Sequence, residues 1–358
     1  MAISGVGSGS LFWLITRSSE LKSELSTLSA QSTDGRRGTY YGELGGEANR
    51  AINLRGGIAR GEAHVAAITR GLGRTAIAQD ALTRLSSLAE NFLTEAGKVN
   101  RADPTRVTFL AESARQAIGQ VASLLNTKAG GEYLFNGADT ANPPIPDPDG
   151  IMSTGMATDI AAAVGALAPG NGGDVLAATL SAATSNVPGA TPFSDYLLDP
   201  AQGLTEPRRS TLADDGRAVP TGLFASRNAG ASVGNSEAGG WSRDLLRGLM
   251  TLASLKSGQV VAETDFDAVM GSVTAGMKSA MTALGEEAGT LGLSESRLEE
   301  AKTRHGELGV TLKSQLSDVE EVDLAATLTA MQDTQTRLQA SWKALSMLSG
   351  LSLTQFLA

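Results

Sequence analysis

The chain has 358 residues, enough for two or more domains, but only 4% aromatic side chains and 42 glycines, thin material for a compact enzyme core. A formal charge of −9 argues against a general nucleic-acid binder, which shows basic patches. Cys is absent, which excludes disulfides and thiolate chemistry and suits a protein that leaves the cell without an oxidative folding step.

Residues 1–10 carry no charged side chain. The first fifteen lack a basic n-region and a small-residue cleavage site, so no cleaved secretory signal is expected. No apolar run reaches the roughly 20 residues of a membrane helix, so no membrane insertion is expected.

The first helix is predicted from about residue 10 to Gln31. Leu11, Leu14, Leu21, Leu25 and Leu28 fall on a 3-4 spacing, with Ser18 and Ser32 at the other seam positions, the pattern of a coiled coil. Asp34-Gly35 is a turn and Arg36–Gly46 a loop. A second long helix is expected over about Glu47–Val99, with an apolar stripe of Ile68, Leu72, Leu82, Leu85, Leu88 and Phe92. Its glycines at 56, 57, 61, 71 and 73 are each costly, which predicts a break or bend in its first half. Asp103-Pro104 is a helix start, and the third helix carries Val107, Leu110, Ala114, Ile118, Val121 and Leu125 and stops near Gly130-Gly131.

From Ala138 to about Gly240 the composition turns Pro-, Gly- and Ala-rich, with short helices expected at Asp159–Leu167 and Val175–Thr184. Helical pattern returns at Trp241–Leu255. A long helix is expected to open at a Thr264/Asp267 capping box, with Phe266, Met270, Val273, Met277, Met281, Leu284 and Leu291 as its stripe. A second box, Ser317/Glu320, is expected to open the last helix, running to about Met347. That helix repeats the seam pattern with Leu324, Leu328, Met331, Leu338, Trp342 and Leu345, Gln335 being the one polar residue.

A single helix cannot bury such a seam. Two seams at opposite ends predict that the termini pair with each other or with other copies. The expected fold is mainly α: long antiparallel helical bundle and coiled-coil layers from both termini, with an inserted loop-rich mixed α/β outer domain. The expected domains are a terminal coiled-coil assembly domain (1–40 and 317–358), an inner helical bundle (41–137 and 237–316) and the insert (138–236).

No constellation calls for catalysis. His64 and His305, the only histidines, lie on different predicted helices and read as ordinary helix residues rather than metal ligands. Asp147-Pro148-Asp149-Gly150 lacks the glutamate of a calcium loop and reads as a turn. Gly5, Gly7 and Gly9 follow no strand and lack the Gly-Lys-Ser/Thr ending of a phosphate loop. The acid pairs Glu286/Glu287, Glu299/Glu300 and Glu320/Glu321 read as solvated faces and helix-start charges, and Met270, Met277 and Met281 as core. No metal, cofactor or enzymatic activity is expected.

Gly131-Glu132-Tyr133-Leu134-Phe135-Asn136-Gly137, followed by Pro143-Pro144, and the finish Leu348-Ser349-Gly350-Leu351-Ser352-Leu353-Thr354-Gln355-Phe356-Leu357 resemble motifs of the flagellin family. Within it the resemblance leans to the hook–filament junction branch (hook-associated protein 3), on the Tyr-Leu-Phe-Asn-Gly element, the short chain and the Phe-Leu end. Filament-forming flagellin is the alternative. Arg36-Arg37-Gly38-Thr39-Tyr40-Tyr41 departs from the family pattern for that loop.

The resemblance implies a non-enzymatic structural subunit of the bacterial flagellum, outside the cell, exported by the flagellar apparatus without a cleaved signal, with the uncharged N-terminal tail as export signal. Its implied partners are itself, in a ring or helical layer, a neighbouring hook-associated protein, flagellin, and an export chaperone on the C-terminal helix. The expected assembly interface comprises the seam leucines, Met331 and Trp342, with Leu348, Leu351, Leu353 and Phe356 of the tail.

Overall fold

The computed structural model describes residues 6–356 apart from 233, 235 and 260, and side chains over 12–347 apart from those three. The chain is mainly helical and divides into two compact units, residues 1–63 with 305–358, and residues 64–304.

The first unit contains α1 (Val6–Asp34) and α9 (Leu324–Phe356), which pack on each other, the start of α2 (Ala48–Ala96) and the end of α8 (Glu263–Glu320). Gly35, at φ 70°, ends α1, and a 3-10 turn over Tyr41–Glu47 leads into α2. α2 is helical throughout, so the expected glycine break does not occur. Tertiary packing overrides propensity here, and two of the glycines sit at close approaches. A Cβ on Gly57 would lie 3.2 Å from Leu312 Cδ1, and one on Gly71 2.6 Å from Thr211 Cγ2.

Two helix boundaries also differ from expectation. α8 begins at Glu263, and the Phe266 amide donates to the Ala262 carbonyl, so Thr264 lies inside the first turn instead of capping it. α8 continues through Ser317 to Glu320, and α9 is opened by Asp323, whose Oδ1 accepts from the Ala325 and Ala326 amides at 2.9 and 3.1 Å. Ser317 instead donates to the Glu321 carboxylate at 2.6 Å.

In the second unit, α3 (Pro104–Leu125) starts at the expected cap, with Asp103 Oδ1 accepting from the Arg106 amide at 3.0 Å. Gly130 and Gly131, at φ 60° and 86°, form the tight turn between β1 (Lys128–Ala129) and β2 (Glu132–Tyr133). α4 (Gly155–Gly165), α5 (Gly172–Thr184), α6 (Asp195–Leu198) and the antiparallel hairpin of β3 (Ser210–Asp214) and β4 (Arg217–Pro220) follow.

One buried core runs through this unit. It joins Leu82 and Leu85 of α2, Ile118 and Leu125 of α3, Ile145, Ile160 and Leu197 of the inserted segment, and Met277 of α8. At its centre is α7 (Trp241–Ala253), every residue of which is buried, with the Trp241 ring edge-on to Phe135 at 6.3 Å. A smaller cluster of Ile68, Ala213, Val219, Leu298 and Ala301 seats the β3–β4 hairpin on α2 and α8.

The polar groups carried into this core are satisfied by loops. Arg243 donates to the carbonyls of Ser226, Ala183 and Ser185 and to Asn186 Oδ1 at 2.7–2.9 Å, and desolvation pushes its guanidinium down to about 10. Asp244 accepts from the Ala238 amide at 3.0 Å and from Ser279 Oγ at 2.8 Å, and burial holds its carboxyl above the ordinary range.

The acid pair Glu286/Glu287 departs from the solvated reading. Glu287 is fully buried, and its carboxylate accepts from the amides of Ala229, Gly230 and Ala231, while Glu286 accepts from the Ser232 amide at 2.7 Å. The loop before α7 is thus pinned to α8 by two carboxylates reading backbone N–H groups. Met270 and Met277 are core, as expected.

Candidate assembly surface

The end of α8 and the loop after α1 fix the base of the terminal helix pair. The Arg37 amide donates to the Glu320 carbonyl at 2.7 Å, the Val322 amide to the Gly35 carbonyl at 3.1 Å, and Arg37 Nε to the Glu321 carbonyl at 3.0 Å. Below this bridge Arg55 grips the Glu320 carboxylate with two N–H groups at 2.8 and 2.6 Å, which holds that carboxyl below its ordinary range. The departure at Arg36–Tyr41 therefore has an internal role: this loop clamps the α8–α9 turn.

From that clamp α1 and α9 run antiparallel. Leu21 is buried, and Leu14, Ser18, Leu25, Leu28 and Ser32 are half-buried, on a strict 4-3-4-3-4 spacing. The matching column of α9 is Thr327, Met331, Thr334, Leu338, Ser341 and Leu345, with Thr327, Thr334 and Leu338 buried.

Two apolar positions of the expected seam, Leu328 and Trp342, lie one residue over and are 42% and 54% exposed, while Leu324, in register with Met331 and Leu338, is 49% exposed at the start of α9. Leu328, Gln335 and Trp342 share one heptad position, so they form a single outward column beside the inner seam. On α1, Phe12, Trp13 and Ile15 are likewise exposed, at 74%, 64% and 54%. Trp342 reaches α1 with its polar edge, donating its indole N–H to Ser18 Oγ at 3.0 Å. The side chains of Leu11, Leu348, Leu351, Leu353 and Phe356, and Gly5, lie outside the described residues, while Gly7 and Gly9 fall within the first turn of α1.

α1 and α9 thus meet along a seam that is partly Ser and Thr, while Phe12, Trp13 and Trp342, the largest described apolar side chains of the two helices, stay more than half exposed. Filling a seam with small hydroxyl residues gives weak pairing, and exposing Trp and Phe leaves apolar area for another surface.

Among the described residues, no group of three or more His, Asp or Glu side chains could hold a metal ion. His64 is buried beside Asp215, with Nε2 and Oδ1 3.2 Å apart. In the Asp147–Gly150 turn, Asp147 Oδ1 accepts from the Gly150 amide at 2.9 Å. No described helix is long and apolar enough to cross a membrane.

Residues 274–357, the greater part of α8 and all of α9, match the model of the bacterial flagellin C-terminal helical region. Over these residues the chain is similar to bacterial flagellins. No curated protein matches the chain. The outward column of Leu328 and Trp342 and the inner Thr/Ser seam both lie within the matched segment.

Proposed function

We propose that the protein is the adapter layer joining hook to filament, self-assembling as a ring or short helical layer through its terminal helices. The observation that carries assembly is the outward apolar column of α9, centred on Trp342, beside an inner seam made partly of Thr and Ser. Burying Trp342, Leu328 and Leu324 against neighbours couples ordering of the terminal helices to association. The tail leucines 348, 351 and 353 and Phe356 extend this interface in the proposal.

The junction role, rather than a filament, is supported by the resemblance of Gly131–Gly137 and of the Phe356-Leu357 end. In this reading the neighbours are a hook-associated protein on one side and flagellin on the other. Residues 1–10 serve as the uncleaved export signal, and α9 is covered by an export chaperone until the subunit leaves the cell. The terminal layer, inner bundle and insert divide at 1–40/317–358, 41–137/237–316 and 138–236.

Purified protein mixed with isolated hooks tests this. Attachment to hook tips that then nucleate flagellin, without long polymers of the protein alone, is the expected result. Long filaments formed by the protein alone would assign it to filament-forming flagellin, and absence of both attachment and polymer would overturn the assembly role.

A further inference from the structure

The second unit has a groove of its own. A cavity of about 620 Å³ lies between α2 and the β1–β2 and β3–β4 hairpins, with Arg70, Arg74 and Arg209 on its walls and Ile77 and Leu212, 41% and 48% exposed, among its lining. Its one carboxylate is Glu132, and Arg74 and Arg209 both pair with the same oxygen of it, Oε2. Two guanidinium groups share one carboxylate and Arg70 adds a third charge, so the groove is net positive in a chain of net charge −9.

The complementary charge lies in the inserted segment. Residues 138–207 hold Asp139, Asp147, Asp149, Asp159, Asp174, Asp195, Asp199 and Glu206 but no Lys or Arg. Asp147 and Asp149 are exposed on a loop held by Pro143, Pro144, Pro146 and Pro148. Ile145, fully buried, fastens that loop by exchanging two hydrogen bonds with the Asn126 side chain, at 2.8 and 2.9 Å. The two carboxylates are therefore presented on a rigid arm, which lowers the entropy lost on docking.

We propose that the arginine groove seats the Asp147–Asp149 loop of a second copy, a head-to-tail contact between second units. Such a heterologous contact propagates from copy to copy. It uses only residues 64–304 and stands apart from the terminal-helix interface, so it survives or fails independently of the role proposed above.

The Cys-free chain makes the test direct. Gly73→Cys, exposed on the groove wall with open space at its Cβ position, and Pro148→Cys, between the two aspartates, are made in separate full-length proteins. They are mixed under mild oxidation. Ser296→Cys, exposed on α8, replaces Gly73→Cys as the control. The expected yield of mixed disulfide dimer is about tenfold over control. Adding Arg70→Glu to the groove protein removes the excess, because like charges then face each other, and adding Asp149→Lys to the loop protein restores it. A yield equal to control, a yield unmoved by Arg70→Glu, or a loss that Asp149→Lys does not restore overturns the proposal.

Discussion

The indole N–H of Trp342 donates to Ser18 Oγ at 3.0 Å across the α1–α9 pair, yet Trp342 remains 54% exposed. The polar edge is satisfied within the chain and much of the apolar face is left outside it, the arrangement of an interface anchor rather than of a core residue. Trp342→Ala therefore removes little from the free subunit and much from the assembly. If the ring is fully buried on assembly, truncation costs roughly 3–5 kcal/mol, a loss of attachment of about a hundredfold or more. Lys343→Ala on the exposed face is the control. Hook attachment and thermal unfolding of the free protein check this: attachment falls in Trp342→Ala alone, and the melting transitions of the two variants agree. A collapsed transition in Trp342→Ala would make the ring an internal element.

Glu287 supports a second expectation. Its buried carboxylate is the common acceptor for the amides of Ala229, Gly230 and Ala231. Glu287→Gln keeps the shape but replaces one acceptor oxygen with a donor that faces N–H groups. The loss is about 2–3 kcal/mol, the scale of a hydrogen bond to a charged group. Denaturant unfolding should show a lower midpoint with an unchanged slope. Glu300→Gln, on an exposed position of the same helix, should leave the midpoint in place.

The contrast between these residues shows what the sequence made legible. Helix starts with a local chemical signature, such as Asp103-Pro104, and stripes with a clean period, such as Val107 to Leu125, gave the elements of the fold. The α1 seam of Leu14, Ser18, Leu21, Leu25 and Leu28 was legible for the same reason. On α9 the apolar pattern takes in Met331, Leu338 and Leu345 of the inner column, but sets Leu328 and Trp342, one residue over, in place of Thr327 and Ser341. Thr327, Thr334 and Ser341 become seam residues only because α1 lies against them, which no local pattern states. The burial of Glu287 was invisible because its partners are backbone amides 56–58 positions away. The intact α2 was missed because the glycine penalty is local, whereas the packing around the helix is tertiary.

Glu320 predicts an acid limb for the first unit. Its carboxyl is held below the ordinary range, first by the Arg55 hydrogen bonds. A depressed folded-state value means stabilisation that is present above the unfolded carboxylate range and lost as pH falls through the folded value. The protection factors of amides near the 35–37/320–322 bridge, corrected for the intrinsic pH dependence of exchange, should therefore fall on acidification. Arg55→Ala should abolish most of that pH dependence and speed exchange there already at neutral pH. Since Arg55 is about half exposed, the effect shrinks in high salt.

Tyr196 predicts the alkaline counterpart in the second unit. Burial, then the hydrogen bond to Glu206 Oε2, raises its phenol from 10.0 to about 12. A raised value means stabilisation complete below pH 10 and lost as pH rises through about 12. Ultraviolet titration of tyrosinate should show a late phase that disappears in Tyr196→Phe. Glu206→Gln should move that phase earlier without removing it.

Gly71 and Gly73 make opposite predictions two residues apart on α2. Both sit inside the helix, where glycine costs about 1 kcal/mol relative to alanine. A Cβ on Gly73 meets nothing within 4 Å, so Gly73→Ala should stabilise the second unit by roughly 0.5–1 kcal/mol. A Cβ on Gly71 would stand 2.6 Å from Thr211 Cγ2 and 2.7 Å from its Oγ1, so the β3–β4 hairpin must shift to admit it. That shift disturbs the cluster of Ile68, Ala213, Val219 and Leu298, and overpacking of this kind costs about 1–3 kcal/mol, more than the helix gains. Thermal unfolding of the two alanine variants should therefore move in opposite directions. In Gly71→Ala with Thr211→Ser, which removes the crowded methyl, much of the lost stability should return. Equal stabilisation by both alanines would mean that the hairpin does not rest on α2 at this glycine.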